Sequence, residues 1–342
     1  MVGHEVELES LRMTPPKITV LMSVYNGEKF LREAIDSILI QSYPDFEFLI
    51  IDDSSTDRTP EIIRSYQDPR IKIIRNSENL GLTKSLNKGL GLAEGEYIAR
   101  MDADDISYPN RLDEQIYYLN NNPDVAMVGT GRENIDEDGK ILETVIPPKI
   151  VSTELLLKGN QFQHSSVMFR KEIVLKEGGY CPFMQCCQDY HLWLKLSRNY
   201  PLHNIPEVLS KLRIQRESVS VKKSEEQALS GILAIRIATN QVTDTDMEGI
   251  GLVGVSYIKN KLSKDEMNYY LYKVAGSYRI DGDFYEAQKV YWKLFLMNPL
   301  DLIAIVNFFR LFFGKKFTNE TTRLWCIFIN KYMSLTDRHR KI

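Results

Sequence analysis

Residues 17–57 read KITVLMSVYNGEKFLREAIDSILIQSYPDFEFLIIDDSSTD, and this stretch decides the fold. Lys17 to Val24 is a nearly continuous apolar run, the pattern of a strand buried on both faces. Across Glu28 to Gln41 the residues Phe30, Leu31, Ala34, Ile35, Ile38 and Leu39 recur at helical spacing, and Tyr43-Pro44 stops the helix. Phe46 to Ile51 is a second apolar run. A strand, a helix and a strand in so short a stretch imply a right-handed crossover between parallel neighbours.

The alternation continues outward from there. Asp57 to Tyr66 and Leu80 to Leu92 read as helices, and Arg70 to Ile74 and Glu96 to Met101 as strands. This order predicts an α/β doubly wound sheet, which binds ligands at the carboxyl ends of its strands. The loops that matter therefore begin near Ser23, Asp52, Asn76 and Asp102. Pro109 to Asn121 continues as helix, Val125 to Thr130 and His164 to Phe169 as strands, and Asp189 to Asn199 as a helix carrying Leu192, Trp193 and Leu196. After Ile205 to Ile214 the strand signal fades. The expected division is a tail over 1–16, an α/β domain over 17–221 and a helical region over 222–342.

Within that helical region Leu271, Ala275, Tyr278, Gly282, Ala287, Tyr291 and Pro299 match one tetratricopeptide-like hairpin over about 268–301. A single such unit must pack on something else, and a generic helical hairpin fits the same residues. The segment 302–342 is apolar and basic together, with seven Lys and Arg against two acidic residues from Leu311 onward. It reads either as an amphipathic surface for an anionic membrane or a protein partner, or as helices packed on their own chain.

Composition narrows the class. The 342 residues carry 43 basic and 46 acidic side chains, a net charge of −3, which argues against a nucleic-acid binder. Cys181, Cys186, Cys187 and Cys326 show no CxxC spacing, so neither a zinc ribbon nor a thioredoxin-like site is expected. Glu5, Glu7 and Glu9 stand where a secretion signal would carry basic residues, and no apolar run approaches the ~20 residues of a membrane span. The expected location is cytoplasmic, peripheral to the membrane if the tail binds it.

The chemistry lies at the strand ends. Tyr25, in the Ser23-Val24-Tyr25-Asn26-Gly27 turn, and the carboxylates Asp52 and Asp53 could stack on a nucleobase and accept hydrogen bonds from base or ribose. Asp57 reads as a helix cap. The fourth strand runs into Asp102-Ala103-Asp104-Asp105, whose alternating carboxylates suit a magnesium or manganese ion completed by substrate phosphates, although acidic loops are often only solvated.

These motifs, in order, resemble family 2 glycosyltransferases of the GT-A fold: Ile18 to Asn26, Ile50 to Asp57, Asn79-Leu80-Gly81-Leu82 with Asn87, Tyr97 to Asp105, His164 to Arg170, and Gln188-Asp189-Tyr190 with Leu192-Trp193. The resemblance spans residues 17–220. It implies a Rossmann-like mixed sheet and inverting transfer of a sugar from a nucleotide-diphosphate donor, most commonly a UDP-sugar, to a glycan or lipid-linked acceptor hydroxyl. It further implies that Ser23, Tyr25, Asp52, Asp53 and Asp102 bind the nucleotide and that Asp102 with Asp104 or Asp105 holds Mn2+ or Mg2+. Asp189 would be the general base, or a helix cap, and His164, Gln188 and Arg213 would touch the acceptor or diphosphate, although a lone strand histidine is more often structural. The family's YRxH element here reads Leu212-Arg213-Ile214-Gln215, and glutamine is a poorer metal ligand than imidazole.

Rival folds lack their signatures. The first loop holds one glycine instead of GxGxxG, which excludes a dinucleotide-dependent dehydrogenase, and no GxxxxGK[ST] is present for a P-loop kinase. A catalytically weak relative acting as a scaffold through its helical tail shares the fold, and the intact Asp102, Asp104, Asp105 and Asp189 separate it from an enzyme.

Overall fold

The computed structural model describes residues 17–215, 223–299 and 301–311. The apolar runs form β1 (Ile18–Val24), β2 (Phe46–Asp52), β3 (Ile71–Arg75) and β4 (Tyr97–Met101), which pair in parallel in the order β3-β2-β1-β4. The crossovers are α1 (Leu31–Leu39), α2 (Thr59–Arg64) and α3 (Leu82–Leu92). Every residue of β1, β2 and β4 is buried, which explains why their sequences do not alternate. Along one layer Val20, Met22, Phe48 and Ile50 meet Leu31, Ala34, Ile35 and Ile38 of α1 in a single apolar core.

After β5 (Ile106–Ser107) and α4 (Arg111–Asn121) the sheet becomes mixed. It comprises β6 (Met127–Ile135), β7 (Ile141–Val145), β8 (Ile150–Val151), β9 (Met168–Arg170) and β10 (Leu202–Arg213), with α5 (Thr153–Leu157), α6 (Lys171–Lys176) and α7 (Gln188–Leu196) between them. β9 runs antiparallel between β4 and β6, while β10 pairs parallel with β6, completing ten strands. The GT-A-like mixed α/β sheet expected from the motifs is present.

One expected strand is shortened. His164–Ser166 forms a single 3-10 turn, and the ladder resumes only at Met168. The carbonyls of Ser165 and Ser166 accept instead from the buried side chains of Arg111 (2.7 Å) and Gln115 (2.8 Å). Side chains take the acceptors that a ladder would use.

The described residues divide into two compact units, and the division differs from the expected boundary at 221/222. Residues 17–215 belong with Ser230–Tyr257, so part of α8 (Ser224–Ala238) and all of α9 (Asp244–Val253) fall in the first unit. The other unit is built on α10 (Lys264–Asp281), α11 (Phe284–Met297) and α12 (Leu302–Arg310). Ser263 and Glu266 form a capping box at the start of α10, and Gly282 closes it in the left-handed conformation at φ 82°. Asp283 then caps α11 by accepting from the Glu286 N–H at 3.1 Å, so two adjacent residues end one helix and begin the next. Of the tetratricopeptide-like positions, Leu271, Ala275, Ala287 and Tyr291 are buried. Beyond residue 311 the basic tail lies outside the described residues, as does the 1–16 tail; no described helix is long and apolar enough to cross a membrane.

Gly95 is fixed by close approach. A Cβ there would lie 2.4 Å from the Thr19 nitrogen and 2.6 Å from the Ile18 carbonyl carbon, on backbone that cannot move without displacing β1. Gly95→Ala is expected to destabilise the protein by roughly 1–3 kcal/mol, the usual cost of overpacking, read as a lower urea midpoint with unchanged slope. An unchanged midpoint would contradict the packing.

Candidate active site

The register aligns the carboxyl ends of the parallel strands. Val24 pairs with Asp52, Asp52 with Arg75, and Met22 with Met101, so the loops after β1 to β4 open on one edge. Two of these loops are laced together: Asn26 N–H donates to Ser55 Oγ (3.0 Å), Gly27 N–H to Thr59 Oγ1 (2.8 Å), and Thr56 N–H to Asn26 Oδ1 (2.8 Å). Asn26 and Ser54 hold positive φ of 51° and 64°, local strain that these bonds sustain. Asp57 is structural, accepting from Thr59 N–H (2.9 Å) and Glu28 N–H (3.1 Å).

On this edge Tyr25 is half exposed, whereas Ser23 and Asp52 are buried beneath it. Asp52 Oδ2 accepts from Arg75 Nη1 at 2.9 Å, and Arg75 Nη2 donates to the Ser55 carbonyl at 2.9 Å. Arg75 escaped the sequence reading by one position, because the loop there was taken to begin at Asn76. Only the register shows its partner.

Asp53 behaves differently from its neighbour. Its Oδ1 accepts from Asn76 Nδ2 (2.7 Å) and Leu80 N–H (2.9 Å), and its Oδ2 from Gly81 N–H (2.9 Å). Asp52 is engaged as fully, its Oδ1 accepting from Ser55 N–H at 2.9 Å. Asp53 thus shapes the 76–81 loop at this edge.

The acidic turn after β4 is held from three directions. Asp102 N–H donates to Ser165 Oγ (2.9 Å), and its carboxylate accepts from Arg100, a guanidinium wholly buried in β4. Asp104 Oδ2 accepts from Gln215 Nε2 at 2.6 Å, so the residue in the family's histidine position holds a ligand candidate through its amide. Asp105 turns inward, with 1% of its surface exposed and Oδ1 accepting from Arg213 N–H at 2.9 Å. It does not face a cation alongside Asp102 and Asp104, contrary to one of the sequence alternatives. Burial, reinforced by Asp102, raises the pKa of Asp104 to about 6, and burial followed by repulsion from Asp104 and Asp102 pushes Asp105 well above the usual carboxylate range.

Arg213 is likewise reassigned. Its Nε donates to the Asp104 carbonyl (3.0 Å), Nη1 to the carbonyls of Asp136 (3.2 Å) and Glu137 (3.1 Å), and Nη2 to Glu33, while the guanidinium lies 4.3 Å from the Phe30 ring centre. Every nitrogen is engaged within the protein, so Arg213 buttresses the turn and does not reach for a diphosphate.

Asp189 occupies the second position of α7, after Cys187 in the left-handed conformation at φ 54°. It is not the N-cap of that helix, a position held by Cys187; Oδ2 accepts from Asn160 Nδ2 at 3.0 Å. Burial raises its pKa, the Tyr190 N–H and Asn160 partly offset this, and repulsion from Asp102 adds to it. The fold thus brings Asp189 and Asp102, far apart in sequence, into one electrostatic field. Asn160 carried no sequence signal, being one polar residue in an irregular loop.

His164 and Gln188 belong to the wall. His164 Nε2 lies 3.0 Å from Tyr180 Oη, its ring meets Tyr180 and Trp193 edge-on, and burial drops its pKa to about 3. Its neutral ring packs in this aromatic cluster. Gln188 is buried at the start of α7.

Among the described residues no three His, Cys, Asp or Glu side chains gather as a metal site. Asp102 and Asp104 nevertheless fit a cation that takes one or two carboxylates and completes its shell with substrate phosphates, the habit of magnesium.

Comparison with known proteins places the chain in a family. Residues 19–178 match the model of glycosyl transferase family 2. The putative glycosyltransferase EpsE of Bacillus subtilis is 38% identical over 204 residues, 58% of this chain and 73% of its own. The O-antigen biosynthesis glycosyltransferase WbnJ of Escherichia coli is 36% identical over 208 residues, 59% and 81% respectively. Among solved structures, S. aureus TarS in complex with UDP superposes with TM-score 0.53 at 16% identity, covering 86% of this chain and 90% of its own. The mannosyltransferase PcManGT of Pyrobaculum calidifontis, in complex with GDP-Man and Mn2+, gives 0.56 at 18% identity, covering 91% and 84%. With relatives of this identity matched over most of their length, the chain belongs to glycosyltransferase family 2 and is a glycosyltransferase.

Proposed function

We propose that this glycosyltransferase moves a sugar from a nucleoside-diphosphate donor of the UDP class to a glycan or lipid-linked acceptor hydroxyl, with inversion, in the synthesis of a surface polysaccharide. The carrying observation is the placement of Asp189, a carboxylate with raised pKa, in the field of Asp102 at the end of β4. A base on one side and a diphosphate site on the other is the arrangement that in-line displacement needs. The O-antigen role printed for WbnJ supports the polysaccharide setting, and the UDP bound to TarS supports the donor class.

In this reading Tyr25 stacks on the base, and Asp52 with Arg75 receives the base or ribose. Asp102 and Asp104 would hold Mn2+ or Mg2+, which when bound offsets the negative charge developing on the leaving diphosphate. Asp189 takes the proton from the acceptor hydroxyl as its oxygen attacks the anomeric carbon. The bond from that carbon to the diphosphate oxygen breaks, and the nucleoside diphosphate leaves with the bonding pair. A pKa above the ordinary carboxylate value strengthens Asp189 as a base.

Calorimetry with UDP, GDP and dTDP, with and without Mn2+, tests the donor end. UDP is expected to bind in a manganese-dependent way, and Asp104→Ala to weaken it at least about tenfold, the loss of one good charge contact. Failure of all three nucleotides to bind contradicts the reading. Asp189→Asn is expected to retain UDP binding while turnover falls about 10²–10⁴-fold, the usual worth of a positioned base, with loss of the acid limb of the pH profile. Asp104 also yields a stability signature. Because its folded pKa lies above the unfolded one, the folded state binds the extra proton between about pH 4 and 6, and wild-type stability falls as pH rises through that window. Asp104→Asn is expected to melt higher than wild type at pH 7 without metal, with the difference vanishing near pH 4. An equal difference at both pH values would contradict the assignment.

A further inference from the structure

Asn160 lies in the loop that follows α5, and its side-chain amide makes two bonds of opposite sense. Its Oδ1 accepts from the Phe162 N–H at 3.1 Å, and its Nδ2 donates to Asp189 Oδ2 at 3.0 Å. A backbone N–H can only donate, so the first bond fixes which end of the amide faces the carboxylate. Asn160 is exposed, and without that anchor its amide would rotate and exchange the carboxylate for water.

The loop is tied in turn to the helix that carries Asp189. Phe162 is buried with its ring edge-on to Trp193, 6.2 Å between centres, and Trp193 stands one turn after Asp189 on α7. Tyr190, next to Asp189, donates its hydroxyl to the Leu156 carbonyl at 2.5 Å, near the end of α5. The same carbonyl accepts from the Gly159 N–H at 2.8 Å. Gly159 holds φ 151°, a conformation that residues with a Cβ rarely adopt, and this turns the chain just before Asn160. These ties set the approach of Asn160 to Asp189 from both sides.

The bond also bears on charge. A donor to a carboxylate favours its ionised form, so Asn160 and the Tyr190 N–H oppose the burial and the Asp102 charge that raise the Asp189 pKa. Tyr180, whose hydroxyl feels the Asp189 charge, stays neutral because burial pushes its own pKa up, and His164, bonded to that hydroxyl, is neutral as well.

We infer that Asn160 is the positioning residue of the base: its amide holds Oδ2 of Asp189 and turns Oδ1 to the acceptor hydroxyl. The inference rests on the glycosyl-transfer reading above and assigns the orientation of its base. Asn160 acts through Asp189 and exchanges no proton.

The test follows the Asp189 carboxyl carbon by NMR across pH in the full chain with isotope-labelled aspartate, its resonance identified by its loss in Asp189→Asn. Asn160→Asp keeps the oxygen that accepts from Phe162 N–H and replaces the donor by a charge, whereas Asn160→Ala removes both bonds. Both variants are expected to raise the Asp189 titration midpoint, Asn160→Asp by more. Hydrolysis of UDP-glucose, UDP-galactose and UDP-N-acetylglucosamine with Mn2+, water serving as acceptor, is expected to fall about tenfold in kcat for Asn160→Ala with KM unchanged, the scale of one hydrogen bond to a charged group. An unmoved midpoint in folded Asn160→Asp overturns the proposal, as does a raised midpoint with kcat unchanged. Full hydrolysis by Asp189→Asn breaks the base reading instead, and turnover of no probe by wild type counts against the donor reading and leaves the midpoint to decide the pairing.

Discussion

The site depends on a confined repulsion: Asp102, Asp104 and Asp105 crowd three carboxylates into one turn, and the surrounding fold opposes their separation. Arg100 pairs with Asp102 from within β4, and Arg213, at the end of β10, donates its Nε to the Asp104 carbonyl and its backbone N–H to the Asp105 carboxylate. Arg111 donates to the Arg100 carbonyl at 3.0 Å and interacts with Asp105, its own pKa lowered to about 10 by burial. Buried guanidiniums are costly unless well bonded, and here the Nη atoms of Arg100 and Arg111 meet protein oxygens while the Nε of each finds no partner. A turn held in this way keeps a negative potential facing a developing site, where a cation bound with the donor can relieve it.

The same economy organises the surroundings of Asp189. Tyr180, His164 and Trp193 form a neutral aromatic wall behind Asp189, and Asn87 and Thr83 of α3 fix the loop that leads into α7. Because α3 also follows the loop shaped by Asp53, one helix carries information about both halves of the site. Burial raises the Asp189 pKa without removing its access to Asn160, so desolvation would strengthen it as the base of the proposed reaction.

Much of this was legible in the residues. Strands β1, β2 and β4 lie buried on both faces and so announce themselves as unbroken apolar runs, and the acidic turn falls at the sheet edge where ligands bind. The two-residue strands β5 and β8 carry no periodicity to read. Adjacent residues with one chemistry were harder to separate. Nothing in the letters distinguishes Asp52 from Asp53, or Asp104 from Asp105, because the difference is the direction each side chain takes and the partner it finds there. Arg213 looked like a free cation until the carbonyls of Asp104, Asp136 and Glu137 claimed it. Arg100 did leave a trace, as a charge inside an otherwise apolar strand, and that pattern signals a buried partner.

The division of labour within the acidic turn can be measured directly by counting Mn2+ bound in the presence of UDP by electron paramagnetic resonance, on wild type and on the Asp102→Asn, Asp104→Asn and Asp105→Asn variants. The account predicts that the first two variants lose the site and that Asp105→Asn keeps it. Loss of Mn2+ in a folded Asp105→Asn variant, with the site intact in Asp104→Asn, would contradict the inward placement of Asp105 on which the description rests.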